Sequence, residues 1–171
     1  MRASLPFQTL VVVTTLLASG AMDAAAAEVG RPCERWPTGT SQLHVTLGNQ
    51  VIVAASLAAS ADEPDVTKAE AMIARDASFA MGAGDVGRPF GQDAAGLRKL
   101  LLELRPDSYR FDGWDAPGGK ENPCGKHDLT VEFSSVKRGE RAALKFSFDG
   151  GMIVAGKGWE QSMTTGAFPA R

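Results

Sequence analysis

The chain has 171 residues, 44% of them hydrophobic and 22% charged, with 18 Lys+Arg against 20 Asp+Glu for a formal net charge of -2. Both signs are scattered and no run of like charge occurs, which excludes a polybasic surface for nucleic acid or an anionic membrane. Less a leader, the length is that of one domain with enough chain to bury a core.

Arg2 supplies an early positive charge, Leu10–Met22 is a mostly apolar run ended by Asp23, and Ala25-Ala26-Ala27 is the small-x-small pattern that signal peptidase accepts. The run falls short of the roughly 20 apolar residues that span a bilayer. Residues 1–27 therefore read as a secretory signal peptide; taking 27 residues from 171 leaves 144, residues 28–171, as a single α+β domain with no membrane attachment after cleavage. Cys33 lies in GRPC and lacks the Leu-x-small-Cys context of lipidation. The predicted location is periplasmic or secreted, and there the two cysteines, Cys33 and Cys124, are expected to form a disulfide. Their spacing excludes a CxxC redox pair, and two distant thiols make a poor metal site without further ligands.

In the mature chain, Pro32, Pro37 and Gly39 make the first residues an irregular lead-in held by Cys33, with Trp36 as an anchor. Leu43, Val45 and Leu47 alternate with polar residues, as do Val51, Val53 and Ala55 beyond Gly48-Asn49-Gln50. A three-residue turn would set all six on one face, which predicts a β-hairpin over 43–55. Residues 58–65 read as a linker in which Asp65 caps the next element. Over 66–81 the alanines favour helix while Ala77, Phe79 and Met81 fit a strand; helix is expected for the first half. Gly82–Gln92, rich in glycine and broken by Pro89, reads as a loop carrying Phe90.

The strongest periodicity comes next. Asp93 is a good N-cap, Leu97, Leu100, Leu101 and Leu104 fall at i, i+3, i+4 and i+7, and Pro106 stops the helix by Arg105, with Leu102 off the stripe. Farther on, Leu129, Val131 and Phe133 alternate, as do Leu144, Phe146 and Phe148. An even turn centred on Arg138-Gly139 sets Leu129 against Phe148, Val131 against Phe146 and Glu132 against Lys145. A tight turn at Asp149-Gly150-Gly151 adds Ile153 and Ala155 to the apolar face, and the chain from Gly156, with Trp159 and Phe168, adds an edge strand or frays. The fold class is α+β: an antiparallel sheet of five or six strands, including a C-terminal three-stranded meander, packed against one or two helices and stapled by one disulfide.

Residues 109–128, YRFDGWDAPGGKENPCGKHD, concentrate aromatic and charged side chains. Ser134, His127 and an aspartate can be assembled into a triad only arbitrarily, since neither His44 nor His127 lies in a GxSxG, HExxH or cysteine-protease context. Asp112, Asp115, Glu121 and Asn122 offer hard oxygens, but their spacing fails the EF-hand pattern and Lys120 and Lys126 compete for them. As a sugar-hydrolase pair, Asp112 and Asp115 stand too near in sequence on a loop, and Gly82-Ala83-Gly84 is no phosphate cradle. Tyr109, Phe111, Asp112, Trp114 and Asp115 remain as candidate binding residues: Tyr109 and Phe111 alternate as a short strand pointing inward, and Trp114 either covers the core near the disulfide or stands exposed as a contact. No catalytic residue, metal or cofactor is indicated. The chain reads as an exported non-enzymatic binding or inhibitory protein acting on another envelope or extracellular protein, an inference from class rather than motif. A small periplasmic hydrolase with an unidentified active site, or a structural accessory of an envelope assembly, are the alternatives.

Overall fold

A computed structural model describes residues 31–83 and 86–162; the leader expected over 1–27 and Phe168 lie outside them. After a short 3-10 turn, Pro32–Arg35, the described chain runs α1 (Thr40–Ala59), α2 (Glu63–Glu70), β1 (Ile73–Ala83), β2 (Val86–Gln92), α3 (Asp93–Leu104), β3 (Ser108–Asp115), β4 (His127–Ser135), β5 (Glu140–Asp149) and β6 (Met152–Ser162). The strands form one six-stranded sheet in the order β2-β1-β6-β5-β4-β3. The α+β class and the single staple hold, with two corrections. The sheet is mixed, because β1 pairs with β6 in parallel while every other pairing is antiparallel. Three α-helices accompany it rather than one or two.

The expected hairpin over 43–55 is the helix α1. Residues spaced by four also satisfy a spacing of two: Leu43, Leu47, Val51 and Ala55 turn inward, joined by Ala54 and Ala58, while Val45 and Val53 point away, 53% and 47% exposed. Gly48 is not a turn residue here. It is a notch in α1, where a Cβ would come within 2.5 Å of the Phe111 ring. The C-terminal end of α1 is held by α3, whose Arg98 donates to the Ala58 and Ser60 carbonyls, satisfying acceptors that a helix end leaves open.

The linker gives way at Glu63 to α2, and Asp65 sits inside that helix with Lys68 3.0 Å away. The ambiguous segment splits as expected, helix to Glu70 and strand from Ile73, with Ala77, Phe79 and Met81 buried. The expected loop 82–92 is corrected to β2, which pairs only with β1 and so tolerates Pro89 at a sheet edge. In α3 the leucine stripe is buried as its spacing predicts, apart from a partly exposed Leu104, and the Asp93 carboxylate accepts the Ala95 N–H at 2.7 Å.

The meander forms with its apolar face intact and its register moved by two. Leu129 faces Phe146, Val131 faces Leu144 and Phe133 faces Ala142, because the four-residue β4–β5 turn, Val136–Gly139, is centred on Lys137-Arg138, one residue before the expected centre. A shift of two keeps each side chain on its own face, so only the partners change. Lys145 accordingly lies opposite Thr130 and reaches diagonally to Asp128 at 3.5 Å. At the β5–β6 turn Gly150 and Gly151 take φ 59° and 85°, the left-handed pair that a two-residue hairpin wants. A bulge after Ile153 then sends Ala155 to the polar face and presents Gly156 to the core, where a Cβ would lie 2.7 Å from Phe79. From Gly156 to Ser162 the chain is not an edge strand but part of β6, between β5 and β1.

Cys33 and Cys124 are bonded, Cα to Cα 5.2 Å, across a sequence separation of 91. Cys33 is fully buried, and a Cβ on Gly151 would stand 2.6 Å from its own Cβ. The bond ties the lead-in and the β3–β4 connection to the β5–β6 turn and suits an oxidising, non-cytoplasmic compartment. No helix of the described residues is long and apolar enough to cross a membrane.

Candidate functional site

The aromatic residues of β3 separate into two environments. Phe111 fills the notch at Gly48 and Trp114 lies against α1, its ring stacked on His44 with centroids 5.2 Å apart and planes 5° apart. His127, from the start of β4, approaches the other way at 5.9 Å, and Lys120 Nζ lies 5.7 Å from the indole centroid. His127 is 1% exposed, and its Nε2 sits 2.8 Å from the Asn122 carbonyl oxygen. A carbonyl only accepts, so in the neutral ring Nε2 carries the proton and Nδ1 is an acceptor. Trp114 is thus partly buried and packed on the core, with only Phe111 as its equal among the candidate residues.

The polar members of the stretch are engaged in small local contacts. Asp112 stands 3.8 Å from Arg110, Asp115 accepts the Ala116 N–H at 2.8 Å, and the Asn122 side chain accepts the Cys124 N–H at 3.1 Å. Among the described residues no group of three or more His, Cys, Asp or Glu side chains is placed to hold a metal. The Ser134–His127 pairing fails on geometry: seven positions apart on one straight strand, they are about 23 Å from each other.

Tyr109 is the exception: on the same face of β3 as Phe111, with ring centroids 5.8 Å apart, it is nevertheless 53% exposed. With its neighbours it borders a recess of about 710 Å³. One wall is the C-terminal half of α1, where Ile52 stands over Ala55, Ser56 and Ala59; these small side chains leave room that larger ones would fill. The facing wall is the end of α3, Leu101 and Leu102, and Phe133 of β4 forms the floor. Leu102, off the helical stripe, is 50% exposed and overhangs the opening. Arg105, Pro106, Asp107 and Ser108 close the rim. Pro106 ends α3 there, and Arg105 adopts a left-handed conformation with φ 45° as its C-cap.

The charges around that rim are mostly claimed. Asp107 accepts the Val136 N–H at 3.0 Å and the Ser108 hydroxyl at 3.2 Å. The Arg88 guanidinium hydrogen-bonded to Glu103 holds that carboxyl below its usual range, and Arg138 pairs with Glu140 while donating to the Glu103 carbonyl. Arg105 donates from Nε to the Leu102 carbonyl at 3.4 Å and makes no ion pair among the described residues.

Of the candidate binding residues named from the sequence, only Tyr109 lines this recess. Ile52, Ala55, Leu102, Arg105 and Phe133 were missed as site residues because each reads locally as a strand, a stripe or a cap; the one sequence signal was Leu102, apolar and off the leucine stripe.

No protein-family model and no curated protein matches the chain. Solved structures similar to it in shape include an NTF-2 like protein of unknown function from Silicibacter pomeroyi, at 13% identity and TM-score 0.48, with 72% of this chain and 99% of that one covered. A protein of unknown function with a cystatin-like fold from Methylobium petroleophilum is 15% identical over 74% of this chain and 83% of that one, with a TM-score of 0.44. An NTF-2 like protein of unknown function from Burkholderia xenovorans is 12% identical over 74% of this chain and 88% of that one, with a TM-score of 0.43. Likenesses at this level carry no argument about function.

Proposed function

We propose that the protein is an exported, non-enzymatic binding protein of the periplasm or extracellular space, and that it receives an apolar group in the recess between α1, α3 and β3. The observation that carries this reading is the recess itself: about 710 Å³, with Ile52, Leu101, Leu102, Tyr109 and Phe133 around it. Such a volume falls within the range of small-ligand sites, which are mostly apolar with a few polar groups that fix orientation. Leu102 and Tyr109 remain half exposed at its mouth, a cost in water that an apolar occupant would relieve at roughly 25 cal/mol per Å² covered. The sequence pointed to a protein as partner. A recess walled by two helices and floored by the sheet fits a small apolar molecule better than a flat protein surface does, and we take the small molecule as its occupant.

The test is titration with the neutral fluorophore N-phenyl-1-naphthylamine. Wild type is expected to bind it saturably at one site, and Ser56→Trp, a substitution at an exposed wall position, is expected to abolish that binding while leaving the far-UV circular dichroism unchanged. Absence of saturable binding to wild type, or equal binding to a folded Ser56→Trp, would overturn the reading.

A further inference from the structure

The rim of the recess carries charges of both signs in balance, Arg105 against Asp107 beside two closed ion pairs, but its free hydrogen-bond donors are unevenly placed, and this selects among apolar ligands. Glu103 is taken by Arg88, Arg138 by Glu140, and both carboxylate oxygens of Asp107 already accept hydrogen bonds. Arg105 alone lines the opening with its terminal guanidinium nitrogens in no ion pair among the described residues. Its place is fixed from the backbone. The left-handed cap with φ 45° and ψ 55°, the Arg105 N–H donated to the Leu101 carbonyl at 2.8 Å and the proline after it hold its Cα at the boundary between α3 and β3. Leu102, Arg105 and Tyr109 line the same opening, which puts an apolar surface and a guanidinium on one rim.

We infer that the recess takes an amphipathic anion, its apolar part against Ile52, Leu102 and Phe133 and its carboxylate on Arg105. This rests on the proposed role of the recess as a ligand site. A carboxylate suits the planar fork of arginine, which offers two parallel N–H donors. Salt screens the pair at so exposed a rim, so its contribution is selectivity more than affinity.

Decanoate and decanol share the apolar chain and differ in the head, so titrating each by calorimetry at low salt below the micellar range separates the two parts of the inference. Wild type is expected to bind decanoate about tenfold more tightly than decanol, a factor equal to one charge-assisted contact. Arg105→Asn removes the charge with a residue that accepts the left-handed backbone, and it is expected to bring the two affinities together, decanoate losing about tenfold relative to decanol. Equal binding of both by wild type would overturn the anion assignment and leave the recess standing, as would a decanoate preference that survives in Arg105→Asn. Failure of decanol and of the neutral fluorophore alike to bind would remove the recess as a ligand site, and the anion with it.

Discussion

Two regions draw on the same pair of elements, α1 and β3, and treat their aromatic side chains oppositely. Toward the disulfide, α1 offers a glycine and a histidine, and β3 answers with Phe111 in the notch and Trp114 stacked on the imidazole. At the other end α1 offers Ala55, Ser56 and Ala59, and β3 answers with Tyr109, which touches Phe111 on one side and stays half exposed on the other. The first region is filled and belongs to the fold; the second is open. The density of aromatic residues is therefore a poor guide to function in this chain, because a ring that has found partners has already gained what burial gives.

Substitutions should separate the regions, with stability responding at one end and binding at the other. The largest effect is expected from Trp114→Ala, which removes a ring packed between two histidines and the core; urea denaturation should show a loss of about 2 to 3 kcal/mol, short of a full core truncation because the ring is only partly buried. An unchanged midpoint would place Trp114 with Tyr109 instead. Next comes Gly48→Ala. Helix propensity alone would favour alanine by about 1 kcal/mol, but the added methyl meets three Phe111 ring atoms between 2.5 and 2.8 Å, and a net loss of about 1 to 2 kcal/mol is expected from overpacking. A stabilised variant would show that Phe111 is free to move and that the notch is not tight. The smallest change in stability, within about 0.5 kcal/mol, belongs to the exposed Leu102→Ser, which should nonetheless weaken binding of the neutral fluorophore severalfold. The comparison fails if Leu102→Ser unfolds the protein or if Trp114→Ala alone abolishes binding.

The features legible in the sequence are those that short-range physics sets. The stripe of α3, its start at Asp93, whose carboxylate accepts the Ala95 N–H, and its stop before Pro106 are all contained within one segment, and they stand where their spacing places them. The faces of β4 and β5 were readable for the same reason, since alternation fixes which side is dry. Their register was not, because even turns centred one residue apart preserve the same faces and only the 3-10 turn at Val136–Arg138 decides between them. Around Leu43 to Ala55 the sequence was ambiguous in principle: an alternating pattern contains a pattern of every fourth residue, and the choice fell to helix once the sheet offered a surface for Leu43, Leu47 and Val51 to cover. Pro89 and the glycines around it read as a loop because an edge strand, which needs ladder bonds on one side only, can keep them.

By itself the sequence determined the class, the pairing of the two cysteines, one helix with its caps and the dry face of a meander, all from contacts near in the chain or from the compartment. Tertiary structure alone decided that β1 and β6 meet in parallel, that Gly156 faces Phe79, and that Ile52, Leu102, Arg105, Tyr109 and Phe133 border one recess. Those relations join segments far apart in sequence, and each exists only where the other parts of the fold leave space for it; no spacing within a single segment encodes a place where nothing has been packed.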